Sequence, residues 1–141
     1  MDTDLPPLSA LPPYDGDWLL EASAYRANLF DGARLDELVL SNGLLSRTFR
    51  LAPNAATVGL DSGITGASML RGVKPEARIQ IDGMSYDIGG LIGQEEYAYL
   101  RREWIDSLAC DPAAFQYTHY EHGATQAPFA WKRVRHCLLY T

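Results

Sequence analysis

The stretch that decides the fold runs from Glu37 to Ile88 and contains two copies of one pattern: a strand, a tight turn and a second strand. In the first copy, Leu38-Val39-Leu40-Ser41 leads through Asn42-Gly43 into Leu44-Leu45-Ser46-Arg47-Thr48-Phe49-Arg50-Leu51. In the second, Ala77-Arg78-Ile79-Gln80-Ile81 leads through Asp82-Gly83 into Met84-Ser85-Tyr86-Asp87-Ile88. Both dipeptides favour a type I′ hairpin turn, because that turn needs a positive φ at both central residues. The stretch therefore predicts paired antiparallel strands.

The remaining predicted elements are shorter. Further strands are predicted at residues 24–30, 56–60, 68–70, 115–119 and 131–135. A helix is predicted from Glu95 to Leu108, because Leu100, Trp104 and Leu108 recur at four-residue spacing. About eight or nine short strands with one helix indicate a mostly β fold, an antiparallel β-sandwich with one packed α-helix.

Length and proline content set the domain organisation. At 141 residues the chain has the length of one domain. Residues 1–17 contain the pairs Pro6-Pro7 and Pro12-Pro13, which remove backbone donors and favour extended conformations. We therefore expect an extended proline-rich tail over residues 1–17 and a single β-sandwich domain over residues 18–141.

The charge balance bears on the partners. The formal net charge is −6, which argues against a nucleic-acid partner because phosphate binding needs clustered Lys and Arg. The segment Lys132-Arg133-Val134-Arg135-His136 is locally basic but short, and a solvated strand face explains it. No stretch approaches the ~20 apolar residues that cross a bilayer, so no membrane partner is expected.

The first residues bear on localisation. The N-terminus Met1-Asp2-Thr3-Asp4 is acidic where a secretory signal would be basic, and no apolar region follows. The chain as written is therefore expected in the cytoplasm, and it would be secreted if an upstream signal had been removed.

The cysteines and glycines suggest neither a metal nor a cofactor. Cys110 and Cys137 lack the close C-x₂₋₄-C spacing of structural zinc sites. They could close one disulfide in an oxidising compartment, but in the absence of a signal peptide we expect free thiols. The glycine-rich segments 63–66 and 89–93 fit neither the P-loop nor the dinucleotide fingerprint, so turns and bulges explain them.

Catalytic patterns are weak in this sequence. No serine lies in a G-x-S-x-G elbow. A pair of carboxylates can hydrolyse a glycosidic bond at suitable separation, and the candidate carboxylates are Asp61, Asp82, Asp87, Glu95, Glu96 and Glu121. Asp82 is already explained as a turn residue. Asp87, which precedes Gly89-Gly90, is the strongest of the candidate carboxylates. No catalytic residue is assigned.

Aromatic residues are concentrated in the last third of the chain. Flat rings can stack on a sugar while polar neighbours bind its hydroxyl groups. Trp104 lies on the predicted helix stripe and is better explained as core. The candidate saccharide-binding residues are Tyr97, Tyr117, Tyr120, Trp131 and Asp87.

The first hairpin also carries a family resemblance. The segment Leu40-Ser41-Asn42-Gly43-Leu44-Leu45-Ser46-Arg47-Thr48-Phe49 resembles the opening hairpin of N-terminal β-sandwich domains in large glycoside-hydrolase-type proteins. The nearest such proteins are α-galactosidase-like enzymes with a galactose-mutarotase-like supersandwich. The segments Arg71-Gly72-Val73-Lys74-Pro75-Glu76 and Ile88-Gly89-Gly90-Leu91-Ile92-Gly93-Gln94 look like further parts of the same domain, so the resemblance covers residues 24–136.

The resemblance implies an accessory role. In such proteins this domain precedes the catalytic barrel and performs no chemistry, and the present chain is too short for a barrel of ~250 residues. We therefore expect a non-catalytic accessory or carbohydrate-associated module, with a saccharide as partner. Two alternatives remain open: a protein–protein or self-association module that pairs through an edge strand, and a small glycoside hydrolase that uses Asp87 or Glu121.

Overall fold

The structure is a computed structural model that describes residues 5–11 and 16–124. It contains two antiparallel sheets and one short helix. The strands are β1 (Asn28–Asp31), β2 (Glu37–Ser41), β3 (Leu45–Arg50), β4 (Ala56–Ser62), β5 (Ala77–Ile81) and β6 (Met84–Ile88), and the helix is α1 (Arg102–Ile105). One sheet has the order β1-β2-β3-β4, and β5 pairs with β6 alone. The predicted class, mostly β and antiparallel with one packed helix, is confirmed.

The turn between β5 and β6 has the predicted geometry. Asp82 and Gly83 have φ angles of 51° and 81°, as a type I′ turn requires. Ile81 pairs directly with Met84 across it. The second hairpin is therefore the two-residue turn that its sequence predicts.

The turn between β2 and β3 differs from the prediction. Gly43 has a positive φ of 85°, but Asn42 does not. The Asn42 side-chain oxygen instead accepts hydrogen bonds from the backbone N–H groups of Leu44 and Leu45, at 3.1 and 3.0 Å. This side-chain turn competes with a type I′ turn. The hairpin forms as predicted, whereas the predicted two-residue type I′ turn is wrong.

The core joins the larger sheet to the loops and the helix. Ala56 and Val58 of β4 pack with Val73, Leu91, Ile105 and Leu108, with Leu100 partly buried against them. Because Ile105 belongs to α1, burial of this cluster fixes the helix on the sheet.

Charged groups reinforce the contact between sheet and helix. The Arg50 side chain on β3 is only 7% exposed and donates to Glu37 on β2 at 2.9 Å. Its other terminal nitrogen donates to Asp106, which follows α1, also at 2.9 Å. The arginine therefore ties β2, β3 and the end of the helix together.

The predicted helix over residues 95–108 is wrong in extent, since α1 covers only Arg102–Ile105. Side-chain hydrogen bonds hold the preceding residues in a loop. The Gln94 amide donates to the carbonyl groups of Arg71 and Tyr99, and its oxygen accepts from the Val73 N–H. Such bonds give the backbone an alternative to helical pairing.

Not all of the shorter predicted strands form as predicted. At residues 68–70 the structure has an isolated bridge at Ser68, and at residues 115–119 one at Phe115, in place of strands. The strand predicted over residues 24–30 begins later, at Asn28. The strand predicted at residues 131–135 lies outside the described residues. Six of the predicted strands therefore form, and two others are reduced to isolated bridges.

The described part of the N-terminal segment contacts the larger sheet. Pro7 forms a parallel bridge with Asp31 of β1, and the Asp31 N–H donates to the Pro6 carbonyl at 3.0 Å. Leu5 is buried. These residues therefore extend along the edge of β1.

Candidate functional site

The hairpin of β5 and β6 has one apolar and one polar face. Cross-strand pairing places Ile79 opposite Tyr86 and Ile81 opposite Met84. The alternate residues, which point to the other side, are polar and form the pairs Arg78–Asp87 and Gln80–Ser85. The polar face carries the candidate site.

Arg78 and Asp87 form a two-pronged ion pair on this face. The Arg78 Nε atom donates to Asp87 Oδ1 at 2.6 Å, and Nη2 donates to Oδ2 at 3.1 Å. Hydrogen bonding from Arg78 holds the pKa of Asp87 below its ordinary value. At neutral pH the site therefore presents a fixed carboxylate beside a fixed guanidinium.

A groove of about 170 Å³ lies beside this pair and is called the hairpin groove below. It is lined by Arg78, Ser85, Asp87, Asp111, Ala113 and Ala114. Asp111 Oδ1 accepts the Ala113 N–H at 2.8 Å, and the Asp111 carbonyl accepts the Ala114 N–H at 3.1 Å. This turn places the two alanine methyl groups on the wall facing the hairpin. The groove thus combines charged groups on one side with an apolar surface on the other.

The chain then passes along the open edge of β6. The Phe115 N–H donates to the Asp87 carbonyl at 2.8 Å, and the Gly89 N–H donates to the Phe115 carbonyl at 3.1 Å. The Phe115 ring meets Tyr86 edge-on, with a centroid distance of 5.7 Å. These contacts fix the segment that follows the groove next to the strand that carries Asp87.

The side chain of Asn54 holds the segment that contains Phe115 and Tyr117. It is 1% exposed, its amide donates to the Phe115 carbonyl at 3.1 Å, and its oxygen accepts the N–H groups of Ala55 and Tyr117 at 2.9 and 2.7 Å. One buried side chain therefore sets the backbone position of Tyr117.

Two of the predicted aromatic residues lie close together on this segment. Burial, together with the nearby Tyr120, raises the pKa of Tyr117 above its ordinary value of 10.0. Both side chains are half-buried. The structure thus places Asp87, Tyr117 and Tyr120 on neighbouring segments.

Of the other two predicted site residues, Tyr97 lies away from this arrangement and Trp131 is not among the described residues. Tyr97 lies in the loop before α1, where the Lys74 ammonium sits 3.7 Å from its ring centroid. A cation over the ring occupies a face that a sugar would need for stacking. Trp131 lies outside the described residues, so its place in the site stays a prediction.

Sequence reasoning missed Arg78, Ser85 and Asp111 as site residues. The sequence did contain a signal for Arg78. The turn at Asp82-Gly83 sets the register of the hairpin, and counting outward from the turn along both strands places Arg78 opposite Asp87. Asp111 carried no such signal, since it reaches the hairpin only through the loop after α1.

Two further hollows lie on the larger sheet. One of about 280 Å³ is lined by Arg47, Thr57, Leu60, Leu70, Gly72, Lys74, Pro75 and Glu76, and another of about 300 Å³ by Ala27, Leu40, Ser41, Asn42, Leu45, Arg47 and Leu60. Arg47 lies between them, where it donates to Glu76 and, at 2.9 Å, to Thr57 Oγ1. The contacts with Glu76 and Thr57 therefore hold the Arg47 side chain between the two hollows.

Metal-binding groups are dispersed in the described part of the chain, where no three His, Cys, Asp or Glu side chains gather as for a metal ion. Cys110 is half-buried, and Cys137 lies outside this part. Within residues 5–11 and 16–124, no helix is long and apolar enough to span a bilayer.

Comparisons of the chain with protein-family models, with curated proteins and with solved structures find no match.

Proposed function

We propose that this chain is a non-catalytic accessory β module of a glycoside-hydrolase-type protein and that it contacts a saccharide at the hairpin groove. The observation that carries the proposal is the Arg78–Asp87 pair beside the alanine wall. Adjacent sugar hydroxyl groups both donate and accept hydrogen bonds, and a guanidinium beside a carboxylate supplies both partners.

The apolar side of the groove supports the same ligand class. A sugar ring has a C–H face as well as hydroxyl groups, and the exposed Ala113, beside the nearly buried Ala114, offers a small apolar surface for it. Tyr117 and Tyr120 lie farther along the same segment and offer rings for a second sugar. The site would therefore contact a short saccharide along the segment that flanks β6, from the hairpin groove toward Tyr120.

The size of the groove sets the expected affinity. Its volume of about 170 Å³ lies below the ~300–1,000 Å³ of sites that enclose a drug-sized ligand. Only part of one sugar ring would be covered. We therefore expect a dissociation constant on the order of 1 mM, or about −4 kcal/mol.

The ionisation of Asp87 supports binding over acid catalysis. A glycosidase general acid needs a raised pKa so that it holds its proton at neutral pH. Arg78 shifts the pKa of Asp87 in the opposite direction. The other carboxylate proposed for hydrolysis, Glu121, is an exposed side chain with His119 at 3.7 Å. Asp87 therefore suits hydrogen bonding to a ligand better than proton donation.

The test is calorimetric titration of the full chain with galactose, glucose, lactose and maltose. We expect at least one sugar to bind, and Asp87→Ala to weaken it about tenfold or more, the effect of losing a hydrogen bond to a charged group. The matched control is Asp31→Ala, which removes an exposed carboxylate at the end of β1. A second pair compares Tyr120→Ala, which should weaken disaccharide binding, with Tyr97→Ala, which should not.

Two results would contradict the proposal or its site. Absence of binding by any of these sugars at about 10 mM, roughly tenfold above the expected constant, would overturn the proposal. Equal losses for Asp87→Ala and Asp31→Ala would remove the hairpin groove as the site.

A further inference from the structure

Within residues 5–11 and 16–124, the outer edge of β5, the side that faces away from β6, has no backbone partner. β6 lies on one side of β5, and β6 is in turn flanked by Phe115. On the other side of β5, no backbone hydrogen bond from residues 5–11 or 16–124 reaches the strand. Four of its five residues are exposed and the fifth is intermediate. Unprotected edges of this kind are templates for a further strand.

The turn geometry identifies which groups point outward. Ile81 and Met84 flank the two-residue turn and form its hydrogen-bonded pair. Because such pairs alternate along antiparallel strands, Arg78 and Gln80 direct their N–H and C=O groups away from β6. The free edge therefore offers two donors and two acceptors in regular order.

We propose that this edge pairs with the same edge of a second copy of the chain. An antiparallel arrangement with its two-fold axis at Ile79 places Arg78 of each copy opposite Gln80 of the other. All four outward N–H and C=O groups of each copy then find partners. Two apolar side chains, those of the two Ile79 residues, meet on the axis, where β-branched pairs stabilise a sheet.

Charge selects this register over its neighbour. Centring the axis on Arg78 would set two guanidinium groups directly opposite each other, which is unfavourable. With the axis at Ile79, each arginine meets a neutral amide and keeps its own Asp87 as counterion. Charge thus favours the register centred on Ile79 over the register centred on Arg78.

The composition of β5 permits such pairing, because its one charged side chain, Arg78, is paired with Asp87 of the same hairpin. The strand carries no proline, and its end is apolar, with Ile81 46% and Met84 61% exposed. A two-stranded hairpin is marginal alone, whereas a four-stranded sheet is not. The interface is small, so the dimer should be weak, with a dissociation constant on the order of 10⁻⁴ M.

Sedimentation velocity of the full chain over about 5–500 μM tests the proposal, since this range brackets the expected constant. Gln80→Glu should strengthen the dimer about two- to tenfold, because it places a carboxylate opposite Arg78, and Gln80→Arg should weaken it similarly. Net charge alone predicts the reverse order, since Gln80→Glu adds to an already negative chain. Monomer behaviour throughout, or the reverse order, would overturn the proposal.

Cysteine cross-linking checks the register independently of affinity. In a Cys110→Ser, Cys137→Ser background, Ile79→Cys should form an interchain disulfide, because directly opposed residues lie about 4.5 Å apart at Cα. Ile81→Cys is the control, since the two copies of that residue would be separated by about 13 Å. Equal cross-linking at both positions would contradict this axis. This inference stands independently of saccharide binding, so either can fail alone.

Discussion

The guanidinium of Arg78 and the carboxylate of Asp87 face each other across a hairpin, each four residues from its two-residue turn. The two nitrogen–oxygen distances are 2.6 and 3.1 Å. A positive φ at Asp82 and Gly83 fixes the register that creates the pair. Turn chemistry therefore determines where the charged side of the hairpin groove lies.

The ion pair makes the ionisation of Asp87 depend on Arg78. Replacing this arginine (Arg78→Gln) should raise the pKa of Asp87 toward its ordinary value of 3.8, because the main cause of the lowered pKa is removed. The measurement is a carboxyl NMR titration. Arg34→Gln should leave this pKa unchanged. An Asp87 pKa that is the same in the wild-type and Arg78→Gln proteins would show that the pair does not form.

The carboxylate after α1 should contribute to acid sensitivity. Hydrogen bonding from Arg50 lowers the pKa of Asp106 in the folded state. Because the folded pKa is depressed, the contribution of this group is present above its unfolded pKa and lost as pH falls through the folded value. The free energy of unfolding should therefore decrease below about pH 4, and Asp106→Asn should flatten that decrease. Identical pH profiles in urea denaturation would contradict this assignment.

The buried pair of Arg50 and Glu37 should contribute more to stability than an exposed ion pair. Both side chains are under 10% exposed, at 7% and 6%, and Glu37→Gln removes the buried carboxylate while Arg50 keeps Asp106 and Asp36 as counterions. We expect a loss of about 1.5–3 kcal/mol in the free energy of unfolding, the range for a hydrogen bond to a charged group. The control is Arg102→Gln, whose exposed pair with Asp61 spans 3.9 Å and should contribute less than about 1 kcal/mol. Equal losses of unfolding free energy for Glu37→Gln and Arg102→Gln in urea denaturation would contradict the role assigned to burial.

Asn54 should control the segment that carries Tyr117. Asn54→Ala removes one donor and one doubly bonded acceptor from a buried position, and unsatisfied groups there should lower stability by on the order of 3 kcal/mol. Hydrogen exchange at the Tyr117 amide should accelerate in step with it. Asn28→Ala is the control, because that side chain is exposed and donates to the Arg26 carbonyl two residues away. Unchanged exchange in Asn54→Ala would show that the segment is held by other contacts.

The predictable parts of the fold are those determined by local chemistry. Asp82-Gly83 specifies its turn through backbone dihedral angles alone, and the strands on either side follow from alternation. At Asn42-Gly43 the same reasoning finds the hairpin but not the turn type, because the asparagine side chain captures two N–H groups. Two conformations of similar energy are open to that dipeptide, and the sequence does not separate them.

The parts that were not predictable depend on distant side chains. The spacing of Leu100, Trp104 and Leu108 is real, and Leu108 is buried as a helix stripe would require, yet Gln94 diverts the preceding backbone into a loop. Asn54 likewise replaces strand pairing after Phe115. Both residues act across 20 or more positions, at Val73 and Tyr117. No local pattern announces such contacts.

The measurement that tests the central claim most directly is an amide NMR titration of the full chain with the saccharide that binds best. Binding at the hairpin groove predicts shifts at Ser85 and Asp87, at residues 111–114, and at Tyr117 and Tyr120, with the Tyr97 amide unmoved. Shifts centred on Tyr97, or no shifts at saturating sugar, would contradict the account.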